Sequence, residues 1–269
     1  MTTHFLPVLF FVLLAQLAAA QMDDKFYYPV KKWEPIMDSI KYREINYFID
    51  KDTLNTVLIS PDTKKVKGTV IYFHGAGGNV SRYVQFIRPL VKDCYQVFMI
   101  DFRGYGKSSG KPTHLNIAKD AQIIFDSVLK LKEVAKTKII LFGASIGTQI
   151  ATKIAADNQA KISALILDGT IASFTDIAAD TSPESQREMI RKFLISPYSA
   201  KESIKQIKSM PMLFIHSKED KGVPIAEGEL VYKNATVPKK EMWVYVGDHL
   251  MAGKLYPQEL VTRVNKLMK

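Results

Sequence analysis

The sequence predicts an α/β fold, a mostly parallel central sheet with helices on both faces. Short extended runs such as Thr69 to Phe73 and Ile139 to Phe142 are followed by segments with apolar residues at three- and four-residue steps, the spacing of amphipathic helices. The two kinds of segment alternate from residue 69 onward, which lays each helix across parallel strands. One run, Thr69 to Phe73, is apolar on both faces and is expected at the centre of the sheet.

With 269 residues, 47% of them hydrophobic and 24% charged, the chain suits one large domain with a sizeable core. Its one cysteine, Cys94, excludes an intrachain disulfide and is expected as a small buried residue. The net charge is +10, yet Lys and Arg are scattered and form no run interleaved with aromatics. A nucleic-acid partner is therefore not expected. The excess charge suits a solvated surface that can favour anionic membranes or substrates.

Taken in order, Phe5 to Ala20 is apolar apart from Gln16 and ends in Ala18-Ala19-Ala20. This reads as a secretory signal, residues 1–20, with an A-x-A cleavage site, and it is short for a span of about 20 residues. Met1 to His4 lacks Lys and Arg, so two readings stay open: a cleaved signal that exports the protein to a periplasmic or secreted location, or an uncleaved membrane anchor. Residues 21–269 form the expected domain. A polar stretch with Pro29, Trp33 and Pro35 leads to Glu44–Ile49 and Leu54–Ser60, an antiparallel hairpin. Helices are expected over Ser81–Val91, Thr113–Leu131 (with His114 facing solvent), Ala226–Lys233 and Pro257–Met268, and strands over Gln96–Ile100, Ala164–Leu167, Pro211–Ile215 and Met242–Val246.

Chemistry concentrates where strands end. The run Ile139–Phe142 passes through Gly143-Ala144-Ser145-Ile146-Gly147 into helical spacing at Ile150, Ala151, Ile154 and Ala155. A Gly-x-Ser-x-Gly at a strand–helix junction holds its serine on a strained turn above the sheet, with glycines where strand and helix pass closely. That position makes Ser145 a candidate nucleophile. The central strand runs into His74-Gly75-Ala76-Gly77-Gly78, a turn able to offer backbone N–H groups to an oxyanion. It lacks the Gly-Lys-Ser/Thr ending of a phosphate loop.

Three motifs in order, His-Gly-x-Gly at residue 74, Asp-x-Arg-Gly-x-Gly-x-Ser at Asp101 and Gly-x-Ser-x-Gly at Gly143, resemble the alpha/beta-hydrolase superfamily. The likeness runs from about Thr69 to the C-terminus and is closest to its compact branch of acyl-protein depalmitoylases, small esterases and thioesterases. It implies the alpha/beta-hydrolase fold with a small helical cap, about residues 170–209. It also gives the Asp101–Gly106 loop a structural role beside the pocket. In that cap, Ser182 and Pro183 fit an N-cap and first turn, and Met189, Ile190, Phe193 and Leu194 line one helical face. This stripe is available to an acyl chain or to the core.

His216-Ser217-Lys218-Glu219-Asp220-Lys221-Gly222-Val223-Pro224 resembles the family's His-Gly-x-x-Asp-x-x-Val-Pro, with Ser217 in place of glycine, and so implies Asp220 as the acid. Glu219 and Asp168 compete for that role. Of the five histidines only His249 follows both Ser145 and Asp220, the order Ser, Asp, His that this fold requires. Asp248 stands where the family more often has glycine. The resulting expectation is a serine hydrolase of carboxylic esters or thioesters, catalytic through Ser145, Asp220 and His249, with the backbone N–H groups of Ala76 and Ile146 as oxyanion hole. A serine peptidase of the aminopeptidase-like branch and a non-catalytic hydrolase-fold binder of apolar ligands remain alternatives. No cofactor is needed for this chemistry, and no Cys/His cluster has metal-ligand spacing. Asn79-Val80-Ser81 and Asn234-Ala235-Thr236 are glycosylation sequons.

Overall fold

The computed structural model describes residues 23–36, 40–63 and 65–269; the stretch read as a signal, residues 1–20, lies outside them. The elements in chain order are β1 (Lys41–Ile49), β2 (Asp52–Ser60), β3 (Gly68–Phe73), α1 (Val80–Lys92), β4 (Tyr95–Ile100), α2 (His114–Val128), β5 (Ile139–Ala144), α3 (Gly147–Asp157) and β6 (Ala164–Asp168). There follow α4 (Phe174–Asp180), α5 (Glu184–Phe193), α6 (Ala200–Ser203), β7 (Met212–Ser217), α7 (Ile225–Asn234), β8 (Lys240–Tyr245), α8 (Ala252–Leu255) and α9 (Pro257–Leu267).

Among the described residues the strands form an eight-stranded sheet in the order β8-β7-β6-β5-β3-β4-β2-β1. β1 pairs antiparallel with β2 and β2 antiparallel with β4, while every other pairing is parallel. This is the alpha/beta-hydrolase fold. All six residues of β3 are buried between β5 and β4, as its apolar composition requires. Because strand side chains alternate, Ile71 and Phe73 enter a core shared with α2 and α3, while Val70 and Tyr72 enter the opposite core under α1 and α9. The helices of residues 170–209, between β6 and β7, form the one long excursion from this alternation.

The loop after β4 is tied down by ions. The buried Arg103 guanidinium bonds both oxygens of Asp120 at 2.6 and 2.9 Å, Asp50 at 3.0 Å, and Asp52. It thus fastens the β1–β2 turn and α2 to one point. Asp101 accepts from the Val80 N–H at 2.7 Å and the Trp33 indole at 3.2 Å.

Four local expectations are corrected. His114 is buried rather than solvent-facing, because it stacks on Phe174 at 3.6 Å and bonds both the Tyr27 hydroxyl at 2.8 Å and Asp23 at 3.0 Å. Cys94 is half-buried on a left-handed turn at φ 69°. Asn79 is fully buried as the N-cap of α1, its amide donating to the Val30 and Lys32 carbonyls, which removes it as a glycan acceptor. The Ser182 hydroxyl bonds the Ala178 carbonyl at 2.7 Å, and Pro183 takes the N-cap position of α5.

Candidate active site

β5 ends at Ala144 and α3 begins at Gly147, so the chain must reverse within two residues. It does so with Ser145 at φ 53°, a left-handed conformation that costs a non-glycine residue about 1–3 kcal/mol. Space dictates the flanking glycines. A Cβ on Gly147 would lie 2.1 Å from the Phe73 carbonyl oxygen, and one on Gly143 would lie 2.6 Å from that of Gly147. The turn is further held by the Ser145 N–H donating to the Asp168 carbonyl at 2.8 Å and by the Thr148 hydroxyl donating to the Ser145 carbonyl at 2.6 Å.

Ser145, Ile146, Ala76 and His249 line one cavity of about 660 Å³. His249 stands on the loop after β8, and its Nδ1 donates to Asp220 Oδ2 at 2.5 Å. Asp220, on the loop after β7, is 1% exposed at its side chain. Its Oδ1 accepts from the N–H groups of Val223 at 2.8 Å and Gly222 at 2.9 Å. Burial pushes this carboxyl up, but the His249 hydrogen bond and charge, with the two N–H donors, outweigh it and leave the group below the usual carboxylate range. Ser217, where the family has glycine, donates its hydroxyl to the Gly247 carbonyl and accepts from the Glu219 N–H at 3.0 Å. The substitution therefore staples the Asp220 loop to the His249 loop.

The competing acids are placed differently. Glu219 is exposed. Asp168 ends β6, is buried, and has no partner for Oδ1 among the described residues. Burial pushes it up to about 7, against the pull of the His249 charge and with a further push from Asp220. Asp248 is exposed.

The Ala76 loop is oriented from behind by His74. The Phe102 N–H donates to His74 Nε2 at 3.3 Å, so Nδ1 carries the proton and donates to the Gly75 carbonyl at 2.7 Å. That carbonyl shares a trans peptide with the Ala76 N–H, which must then point the opposite way. Complete burial lowers the His74 pKa to about 4, keeping the imidazole neutral.

One wall of the cavity has no counterpart in the sequence reading. Lys25, Phe26 and Tyr28 line it from a strap, residues 23–30, that crosses the molecule. The Tyr28 N–H bonds the Ala76 carbonyl at 2.8 Å and the Val30 N–H bonds that of Gly78 at 3.1 Å. The Tyr105 hydroxyl donates to the same Ala76 carbonyl at 2.5 Å. Phe26 packs edge-on against Phe174 at 5.5 Å. The aromatic triplet Phe26-Tyr27-Tyr28 is the one signal that could have revealed the strap, since a polar context gives such residues little reason to stay in water.

Ile177, Ala178, Gln186 and Ile190 of the excursion also line the cavity. Of the apolar stripe expected there, Ile190 faces the cavity, whereas Met189 and Phe193 are exposed and no residue of α5 is buried. The helix does not pack on the core. Among the described residues no group of side chains could hold a metal ion, and no helix is long and apolar enough to cross a membrane.

Comparison with known proteins agrees with this architecture. The profile of the serine aminopeptidase S33 family matches residues 64–195. The uncharacterized protein YfhR of Escherichia coli is 33% identical over 199 residues, 72% of this chain and 68% of that protein. Protein bem46 of Schizosaccharomyces pombe is 32% identical over 194 residues, 71% of this chain and 64% of that protein. The chain thus spans about two thirds of the length of these curated relatives. The esterase Pf2001 of Pyrococcus furiosus superposes with a TM-score of 0.71 at 21% identity, covering 90% of this chain and 98% of that one. Sheet order, strand-end motifs and relatives agree: the chain belongs to the alpha/beta-hydrolase superfamily.

Proposed function

We propose that the chain is a serine hydrolase of carboxylic esters or thioesters. The observation that carries this is the convergence of Ser145 and His249 on one cavity, with Asp220 hydrogen-bonded behind the imidazole. Ser145 Oγ attacks the substrate carbonyl while His249 Nε2 takes its proton. The Nδ1–H bond to Asp220 fixes the imidazole tautomer and stabilises the imidazolium. The N–H groups of Ala76 and Ile146 receive the developing oxyanion. His249 returns the proton to the leaving alcohol or thiol, and an acyl-enzyme remains. Water, deprotonated by the same imidazole, then releases the acid and restores Ser145.

The family profile's description favours a second reading, an aminopeptidase. A substrate ammonium would need a carboxylate near the cavity, and among the described lining residues there is none, while Lys25 is present. Isoleucine and alanine side chains suit an acyl chain better. Turnover of p-nitrophenyl esters of increasing acyl length, beside Ser145→Ala, tests the proposal. We expect the variant to stay folded and lose turnover and fluorophosphonate labelling; activity equal to wild type would overturn the assignment. Export through residues 1–20 belongs to this reading, and sequencing the mature N-terminus tests it, with Gln21 expected.

A further inference from the structure

The helix α5 divides its apolar residues in an uneconomical way. Gln186 and Ile190 line the cavity, whereas on the adjoining face Met189 and Phe193, one turn apart, are 58% and 71% exposed. Ile195, just past the helix, is 83% exposed. Tyr28 of the strap also lines the cavity and is itself 61% exposed. Large apolar side chains left exposed beside a pocket mark a surface that something covers.

Charge indicates what. Arg187, Arg191 and Lys192 interleave with the apolar residues of α5 beside Glu184 and Glu188; Arg191 is paired with Asp180 at 2.5 Å, and Lys192 stands directly beside exposed Phe193. Lys192 Nζ lies 5.5 Å from the centre of the Phe193 ring. Lys25 lines the cavity from the strap side, and the chain carries +10 overall. Apolar residues flanked by cations match the boundary between anionic headgroups and acyl chains, where long basic side chains reach up to phosphate while their neighbours enter the hydrocarbon.

We propose that the mouth of the cavity seats on an anionic lipid surface, with Met189, Phe193 and Ile195 entering the interface and Lys192 and Lys25 meeting headgroups. A lipid ester could then pass from the bilayer to Ser145 without crossing water. That last consequence rests on the proposed hydrolase activity, but the seating does not.

A tryptophan placed on the ridge reads the seating without reference to catalysis. Full-length Phe193→Trp is mixed with vesicles of phosphatidylglycerol carrying brominated acyl chains, with the wild-type chain supplying the background of Trp33 and Trp243. The added emission is expected to shift to the blue and to be quenched, less so with zwitterionic phosphatidylcholine. In a second arm, Met189→Ser, Phe193→Ser and Ile195→Ser together are expected to lower hydrolysis of a vesicle-borne long-chain ester about tenfold or more, with hydrolysis of a soluble butyrate ester unchanged. Absence of quenching overturns the proposal even if the vesicles hold the protein by another segment. Equal quenching on neutral vesicles overturns the choice of an anionic surface. An emission shift that follows protein concentration without lipid overturns it in favour of a second copy of this chain. If the wild type hydrolyses neither ester, the hydrolase reading fails while the quenching arm still decides the seating.

Discussion

Replacing Asp220 by Asn asks whether the imidazole depends on this carboxylate, and the structure fixes how the amide must sit. Oδ1 accepts two backbone N–H groups, from Val223 and Gly222, at 2.8 and 2.9 Å. An amide nitrogen there would face two donors, so the Asn oxygen must take that place and its NH₂ must face His249. Nδ1 then has to accept rather than donate, which moves the ring proton to Nε2, the atom that should receive the proton of Ser145. A reversed tautomer of this kind lowers kcat by about 10⁴-fold in the serine-protease template, equivalent to about 5.5 kcal/mol at the transition state. The lost charge-assisted bond costs roughly 1.5–3 kcal/mol of folding stability. The assay is kcat for p-nitrophenyl butyrate together with the rate of fluorophosphonate labelling, beside Asp168→Asn as the rival acid. Asp220→Asn within tenfold of wild type, or a larger loss in Asp168→Asn, would refute the reasoning.

Three further changes follow from the same structure. Gly147→Ala meets the backbone carbonyls of Phe73 and His74, neither of which can yield, so urea denaturation should show a loss of about 3 kcal/mol or more. His74→Phe removes the bond to Gly75 and should lower kcat at least about tenfold with little change in KM. Because burial lowers the His74 pKa from 6.5 to about 4, its contribution to stability is present above pH 6.5 and lost as pH falls toward 4, and thermal melts of the variant should lack that acid limb. Glu227, buried with Oε2 on the Ala172 N–H, has the opposite sign. Burial, then the nearby Asp176 and Asp180, raise it from 4.5 to about 8 against the Ala172 bond. Its stability is therefore present below pH 4.5 and lost as pH rises through 8. Glu227→Gln should lie within about 1 kcal/mol of wild type at pH 5 and exceed it by roughly 4–5 kcal/mol at pH 9; equal melts at both values would dismiss the buried acid.

The sheet was legible because burial on two faces leaves β3 and β5 almost no polar positions, Thr69 being the exception, and a run of that kind has few other homes. Strand ends were legible for a related reason. A turn that must let backbones pass within van der Waals contact tolerates only glycine, so Gly143 and Gly147 stand in the sequence as steric requirements. The position of Asp220 came from the resemblance of His216 to Pro224 to the family pattern, and its Oδ1 accepts the Val223 N–H. What stayed hidden depends on contacts between distant segments. His114 gave no sign of burial because its partners Asp23, Tyr27 and Phe174 lie on other elements. The α5 stripe has ordinary helical periodicity, and periodicity records that a face is apolar without recording what lies against it. Residues 23–30 lack any period at all, so the wall they build could not be read locally.

That wall has a consequence for folding. The strap leaves the ribosome before any of its partners, the Ala76 carbonyl, Tyr105, His114 and Phe174, which come from progressively later parts of the chain. Closing such long loops is slow compared with pairing neighbouring strands. The earliest-made residues of the domain are therefore among the last to dock, and the cavity gains its final side only then. In refolding from denaturant, far-ultraviolet circular dichroism should recover before catalytic competence does, the interval between them being the docking time of a segment too short to register in the spectrum.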